Sequence, residues 1–328
     1  MSSIIINNYY FDKPLTSDNS GFSKWGIGRR NGKYYFVKEF LSPVYPVDDS
    51  MFSEQKRKEK IALCDAFVQE KQKMYSAINE VTDGNLVGIE QFFRVGAKFY
   101  ISTLAIPKPF LSVGEICDFP FYERLMLCAA VAHAIAGLHS KNIVHADIKP
   151  DNVLVRRGKH PEAKIIDFDC SFFEENAPKP GEELNGDMVY LSPEAFLHII
   201  GEESNLSCKM DVFALGLLFH QYMCGFLPYF DTDEYQYAYE SVLDDKPLSV
   251  YPRMNTTVAD LLTKMLNKDP AARPKMSAVF NCLHSLLLRV MNRDPAAAQP
   301  DRQTPPTPVR EVRQNSDNPF FNHGGDLI

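Results

Sequence analysis

The apolar residues of this 328-residue chain change their spacing near Phe110, and that change limits the folds open to it. Before that point the pattern is that of strands with one helix. "KWGIGRR" and "KYYFVKEF" flank Asn31-Gly32, a strong hairpin signal because both turn residues tolerate positive φ. The stretch 54–78 carries Ile61, Cys64, Phe67, Val68, Met74, Tyr75 and Ile78 at helical spacing, with a charged opposite face. "NLVGIEQFFRVGAKFYIST" returns to strand character with a turn near Gly96. Beyond Phe110 come helical patterns at 122–142, 212–223, 257–269 and 276–291, with "NVLV" and "AKIID" as short strands between the first two. The expected fold is α+β: a small β-rich lobe with one helix, then a larger, mainly helical lobe. The expected boundaries are an N-terminal extension 1–8, a small lobe 9–105, a large lobe 106–291 and a Pro-rich, disordered tail 292–328.

Composition excludes several classes of function. With 45% hydrophobic and 23% charged residues the chain can bury a substantial core. A net charge of −7 argues against a general nucleic-acid binder, and the basic clusters at 29–33 and 56–60 read as solvated faces. The seven cysteines form no CxxC pair and sit in apolar stretches, as buried free thiols do. The histidines show no HxxxH spacing, so no structural zinc site is expected. The N-terminus lacks the basic start and apolar core of a signal peptide. The apolar run 212–230 could span a bilayer by length, but His220, Gln221 and Pro228 interrupt it, and it reads as a core helix. A cytoplasmic protein without a membrane span is the expectation.

Several polar residues stand where a phosphoryl transfer could use them. That reaction needs a positioned nucleotide, neutralised charge and a carboxylate to orient the attacking hydroxyl. Asp147 falls in a polar loop after the 122–142 helix, and Asn152 follows five residues later with an amide oxygen suited to a cation. Asp167 ends the apolar "AKIID", a place for a hard oxygen ligand. Lys38 lies among apolar neighbours in "YYFVKEF" and needs a partner. Glu70 on the 54–78 helix could supply it, with Glu59 on the same helix as a competitor.

From about residue 10 to 291 the chain resembles the eukaryotic-type Ser/Thr protein kinases. "FVK" matches the strand lysine, "HADIKPDN" the catalytic loop, "DFD" the metal-binding DFG and "LSPE" the close of the activation segment. The resemblance implies Asp147 as catalytic base, Lys149 steadying the transferring phosphoryl group, and Asn152 and Asp167 on metal. It implies an ATP site at Lys38, Glu70, Gly21, Ser102, Thr103, Leu104 and Ala105. Asp211 would brace the catalytic loop, and Glu194 would pair with Arg273. ATP with magnesium, or manganese in its place, is the implied cofactor, and a protein hydroxyl on Ser or Thr the implied acceptor.

The departures from the family pattern carry expectations of their own. Asp18, Ser20 and Ser23 stand at the three customary glycine positions of the phosphate loop, with Gly21 near the tip. An aspartate there would repel phosphate and weaken ATP binding. Ala146 replaces the arginine that commonly awaits a phosphate on the activation segment, and that segment offers only Ser171, Tyr190 and Ser192 as hydroxyls. Both features predict activity without activation-loop phosphorylation. Asp187 replaces a customary threonine; two carboxylates 4 Å apart repel by roughly 4 kcal/mol at surface-like dielectric, so it must point away or pair with Lys149. Asp169, in place of glycine, raises small-molecule phosphotransferases of the aminoglycoside-kinase type as a rival. Glu194 with Arg273, and Lys149-Pro150, favour the protein kinase; a weakly active scaffold is the third reading. In the tail, "QTPPTPVR" and "NPFF" are candidate docking or phosphorylation segments.

Overall fold

The computed structural model describes residues 4–18, 23–47, 52–81 and 84–292. Gly21, Ser20 and the tail segments lie outside these described residues. The chain divides into two compact units. The first comprises the described residues up to 81 together with 87–109, and the second 84–86 with 110–292.

The first unit is built on an antiparallel sheet in the order β1-β2-β3-β4-β6-β5. Its strands are β1 (Ile4–Ile6), β2 (Tyr9–Phe11), β3 (Ser23–Arg30), β4 (Lys33–Phe40), β5 (Ile89–Val95) and β6 (Lys98–Leu104). The β3–β4 hairpin turns at Asn31 and Gly32 with φ of 50° and 74°, the two positive values a type I′ turn requires. Residues expected as an N-terminal extension instead supply the edge strand β1, with Ile5 opposite Tyr10.

Strand register separates the two faces of this sheet. On one, Tyr9, Phe11, Tyr35, Val37 and Tyr100 form a buried cluster. Glycine is required there because a Cβ on Gly26 would come within 2.7 Å of Leu15 Cδ2, and one on Gly28 within 2.9 Å of Phe11 Cζ. The other face carries a cross-strand row in which Trp25 opposes Lys38, Lys38 opposes Ile101 and Ile101 opposes Phe92. Helix α1 (Glu54–Glu80) packs on this second face. Its Phe67 ring lies 5.4 Å from Phe40, which shares the face of Lys38, and 5.9 Å from Phe92; Tyr75 lies 5.6 Å from Phe92.

The second unit contains α2 (Val113–Cys117), α3 (Phe121–Ser140), β7 (Ile143–Val144), β8 (Val153–Arg157), β9 (Pro161–Ile165), β10 (Phe172–Phe173), α4 (Pro193–Ile199), α5 (Lys209–Cys224), α6 (Ala238–Leu243), α7 (Thr256–Met265) and α8 (Met276–Asn292). Helix α5 is buried from Met210 through Met223 and ends at Gly225 in the left-handed region, so the apolar run is core. Helix α3 is long and apolar enough to cross a membrane by length and composition alone. It is packed against α8, α5 and β9, with Leu125, Val131 and Ile135 fully buried, as a core helix is.

The division between units falls after Pro109 rather than at 105. Hydrogen bonds explain the difference. Ala105 N–H donates to Tyr34 O at 3.0 Å and stays with the sheet, whereas Leu111 N–H donates to Val155 O at 2.8 Å. Helices α5 and α7 meet at Gly216, where a Cβ would sit 2.9 Å from Leu266 Cδ2 and 3.3 Å from Met265 Cβ. Gly216→Val is therefore expected to destabilise the protein by about 1–3 kcal/mol through overpacking, read as a lower urea midpoint. An unchanged midpoint would contradict this close packing.

Candidate active site

In the first unit, Lys38 is half-buried on β4 and occupies the centre of the Trp25–Lys38–Ile101–Phe92 row. Trp25 is buried, stacks on Phe36 at 5.5 Å and donates its indole N–H to Asp18 O at 3.0 Å. Sequence reasoning missed this aromatic wall, although strand alternation from Lys38 through the hairpin would have placed both rings on its face.

Two sequence expectations in this unit need correction. Glu70 is exposed, and so is Glu59, which accepts from Gln55 at 2.9 Å. The buried residues of α1 are Cys64, Lys71, Met74, Tyr75 and Ile78. One residue is 100° of helical turn, so the inward position in this part of α1 belongs to Lys71, not to Glu70. Among the four residues expected along the nucleotide site, only Thr103 directs its side chain to the face of Lys38 at a paired position, opposite Phe36. Ser102 is fully buried on the other face, its hydroxyl 2.8 Å from Tyr9 Oη. Leu104 is exposed, and Ala105 spends its N–H on Tyr34.

In the second unit the polar residues of the 145–152 loop converge. Asn152, 2% exposed, donates its amide to Asp147 Oδ2 at 2.8 Å and to Asp147 O at 2.7 Å. Lys149 Nζ lies 3.0 Å from Asp147 Oδ2. Asp147 Oδ1 accepts the backbone N–H of Asp187 at 3.2 Å. The Asp187 carboxylate itself accepts from Val189 N at 2.9 Å and lies 3.9 Å from Lys149 Nζ. It thus turns from Asp147 and joins the lysine, which removes the expected repulsion. Burial works against the Lys149 charge, but Asp147, Asp187 and Asp151 outweigh it and hold the ammonium above the usual lysine range.

The loop is held from below by α5. Asp211, 1% exposed, accepts from His145 N at 2.8 Å and from Ala146 N at 2.9 Å, and lies 2.9 Å from His139 Nε2. Burial would raise this carboxyl's pKa, but the hydrogen bond and charge of His139 bring it below its usual range. Ala146 adopts φ of 67°, a conformation costly for a residue with a Cβ. The Asp211 bonds on either side of its peptide hold it there. The wall of the site also approaches closely: a Cβ on Gly186 would be 3.2 Å from Ala146 O.

Asp167 lies two residues past the end of β9, with φ of 61°, and its Oδ1 accepts from Asp169 N at 3.3 Å. Among the described residues no group of three or more His, Cys, Asp or Glu side chains gathers to hold a metal alone. Magnesium does not need one, because it is commonly held by one or two oxygen ligands with phosphate and water completing its shell. The donor set fits: Asn152 commits its amide nitrogen to Asp147, and its oxygen is the atom that can meet a cation. Glu194 and Arg273 form a buried bidentate pair, at 2.7 and 2.9 Å.

Comparison with known proteins agrees with this geometry. Residues 52–284 match the family model described as protein kinase domain. The Aurora kinase of Yarrowia lipolytica is 34% identical over 147 residues, covering 44% of this chain and 37% of that protein. The SNF-related serine/threonine-protein kinase of Rattus norvegicus is 30% identical over 154 residues, covering 46% and 19%. The chain thus spans well under half the length of these curated relatives. The solved structure of the Cydia pomonella granulovirus kinase PK-1 covers 84% of this chain and 92% of its own, with a TM-score of 0.56 and 17% identity, a likeness of fold alone. With its kinase-type loop, its brace and the family match over most of its length, this chain belongs to the eukaryotic-type protein kinase domain family.

Proposed function

We propose that the chain is an ATP-dependent serine/threonine protein kinase that works without phosphorylation of its activation segment. The observation that carries the first part is the Asp147–Lys149–Asn152 cluster. Asp147 offers a carboxylate oriented by three donors, ready to align a hydroxyl and take its proton. Lys149, kept charged by its carboxylate neighbours, is suited to steady the phosphoryl group in transit. A divalent ion on Asn152 and Asp167 would supply charge neutralisation for the phosphates.

The second part rests on the three segment hydroxyls, all buried and engaged. Ser171 donates to His145 O at 3.2 Å, and Tyr190 donates to Gln221 Oε1 at 2.6 Å. Ser192 caps α4 by accepting from Ala195 N at 3.4 Å. With Ala146 in place of an arginine there is also no loop cation at that position for a phosphate to neutralise. All seven cysteines are free thiols, which supports a reducing, cytoplasmic setting.

The test incubates phosphatase-treated protein with labelled ATP, magnesium or manganese, a protein mixture and a sugar and aminoglycoside panel. Label on protein serine or threonine is expected. Label on small molecules alone, or no transfer with either metal, would overturn the kinase reading. A preparation inert until another kinase treats it would overturn the regulatory one.

A further inference from the structure

Helix α4 reaches back to the segment that precedes it. The stretch 178–186 carries an exposed turn, closed by Glu182 N–H donating to Lys179 O at 2.8 Å, with Gly181 at φ of 85°. Two anchors bind this stretch to the rest of the second unit. Leu184 packs against the buried cluster of Val144, Leu191, Ala195, Met210 and Tyr239. The Glu182 carbonyl meets His198 Nε2 at 3.1 Å, among the described residues the one hydrogen bond from 178–186 to another element. A carbonyl only accepts, so Nε2 carries the proton and donates. His198 is 1% exposed, and its Nδ1 is buried without a hydrogen-bond partner among the described residues. The polar contact of this interior ring therefore goes to the segment and to nothing else described. The helix that carries it is firmly held: Ser192 caps it, Glu194 pairs with Arg273, and Phe196 stacks on Tyr239 at 4.6 Å. Five residues after Glu182 the same segment forms the wall of the site, where Asp187 N–H donates to Asp147 Oδ1 at 3.2 Å.

We propose that His198 is a positioning residue: its hydrogen bond to Glu182 O holds the unphosphorylated segment so that Asp187 stays against the Asp147 base. The inference rests on the kinase reading given above and deepens its regulatory half. The segment hydroxyls are buried and the loop has no arginine at 146, so the segment has to be held by other means than a phosphate. A donor on α4 does this with a group that is always present.

The test compares the phosphatase-treated full chain with its His198→Leu and His198→Gln variants, using labelled ATP, magnesium and the protein mixture. Leucine keeps the volume and removes the donor, whereas a glutamine amide reaches about as far as Nε2 and restores it. His198→Leu is expected to lower transfer to protein about five- to tenfold, the size of one buried hydrogen bond, and to change ATP affinity by calorimetry less than about twofold. Amide hydrogen exchange should quicken in 178–189 and stay level in α3 and α5. His198→Gln should regain most of the transfer. Equal losses of transfer and of ATP binding, or faster exchange throughout the unit, would mean a structural role and overturn the proposal. So would a loss in His198→Gln equal to that in His198→Leu. If the wild type transfers label and His198→Leu matches it, only the role of His198 falls. If the wild type transfers none, or does so only after another kinase treats it, the reading above falls and takes this role with it. Should His198→Leu lose its fold by circular dichroism, His198→Ala set against His198→Gln decides in the same way.

Discussion

Asp147→Asn should lower phosphoryl transfer by about 10²–10⁴-fold, the usual contribution of a positioned general base. Nucleotide binding should change little, because the hydrogen bonds that Asp147 accepts among the described residues come from the loop and from Asp187. The substitution removes the base and also one acceptor. An asparagine amide would have to place an N–H group against either the Asp187 N–H or the Asn152 amide and Lys149 ammonium, all donors. Some loop distortion is thus built into the variant, and a thermal scan beside the kinetic assay separates it from loss of chemistry. A fall in transfer with an unchanged melting temperature and ATP affinity assigns the base. Transfer that persists within tenfold of wild type would remove Asp147 from that role.

The order of the loop and of the buried pair was legible in the sequence because these groups are polar letters at fixed separations. Asp147, Lys149 and Asn152 are close in sequence, and a short loop has few ways to fold around them. The inward-facing polar residue of α1 was harder. Among the apolar letters of 54–78, the step from Phe67 and Val68 to Met74 and Tyr75 leaves a gap of one turn on the buried stripe. Lys71 fills that gap. A rule that expects charges to face water points to Glu70 as the deliberate exception, whereas helical phase alone selects Lys71. Asp187 was legible only in part. Charge repulsion was enough to turn its carboxylate from Asp147 toward Lys149, but its contact with Asp147 is made by its backbone N–H, which no side-chain letter encodes. The edge strand β1 was missed because "III" has no alternation to mark it, and its partner Tyr9–Phe11 is only three residues long.

Arg273→Ala should cost about 3–5 kcal/mol of stability, the penalty for stripping one partner from a buried ion pair. The guanidinium is fully buried, and each of its five N–H groups has an acceptor. Two go to Glu194, and the others to Asn267 O at 2.8 Å, Lys209 O at 2.9 Å and Lys268 O at 3.2 Å. The same group lies 5.0 Å from the Phe213 ring centroid. Removing it leaves a carboxylate and three carbonyls without their donor in a dry site. Lysine cannot replace it, because an ammonium has three donors and no planar fork, so Arg273→Lys should lose most of the same stability. Glu194→Ala is the converse experiment and strands a buried cation at the start of α4. These single variants are expected to lower the melting temperature by roughly 6–20 °C, taking about 2–4 °C per kcal/mol for a domain of this size. The pair with Glu194→Leu and Arg273→Met should be less damaging than the sum of its singles, because neither charge is then left alone. Additive losses in that double variant would mean the pair is not coupled. The stabilising element would then be the three carbonyl contacts of Arg273, which tie the start of α5 to the α7–α8 connection whatever stands at Glu194.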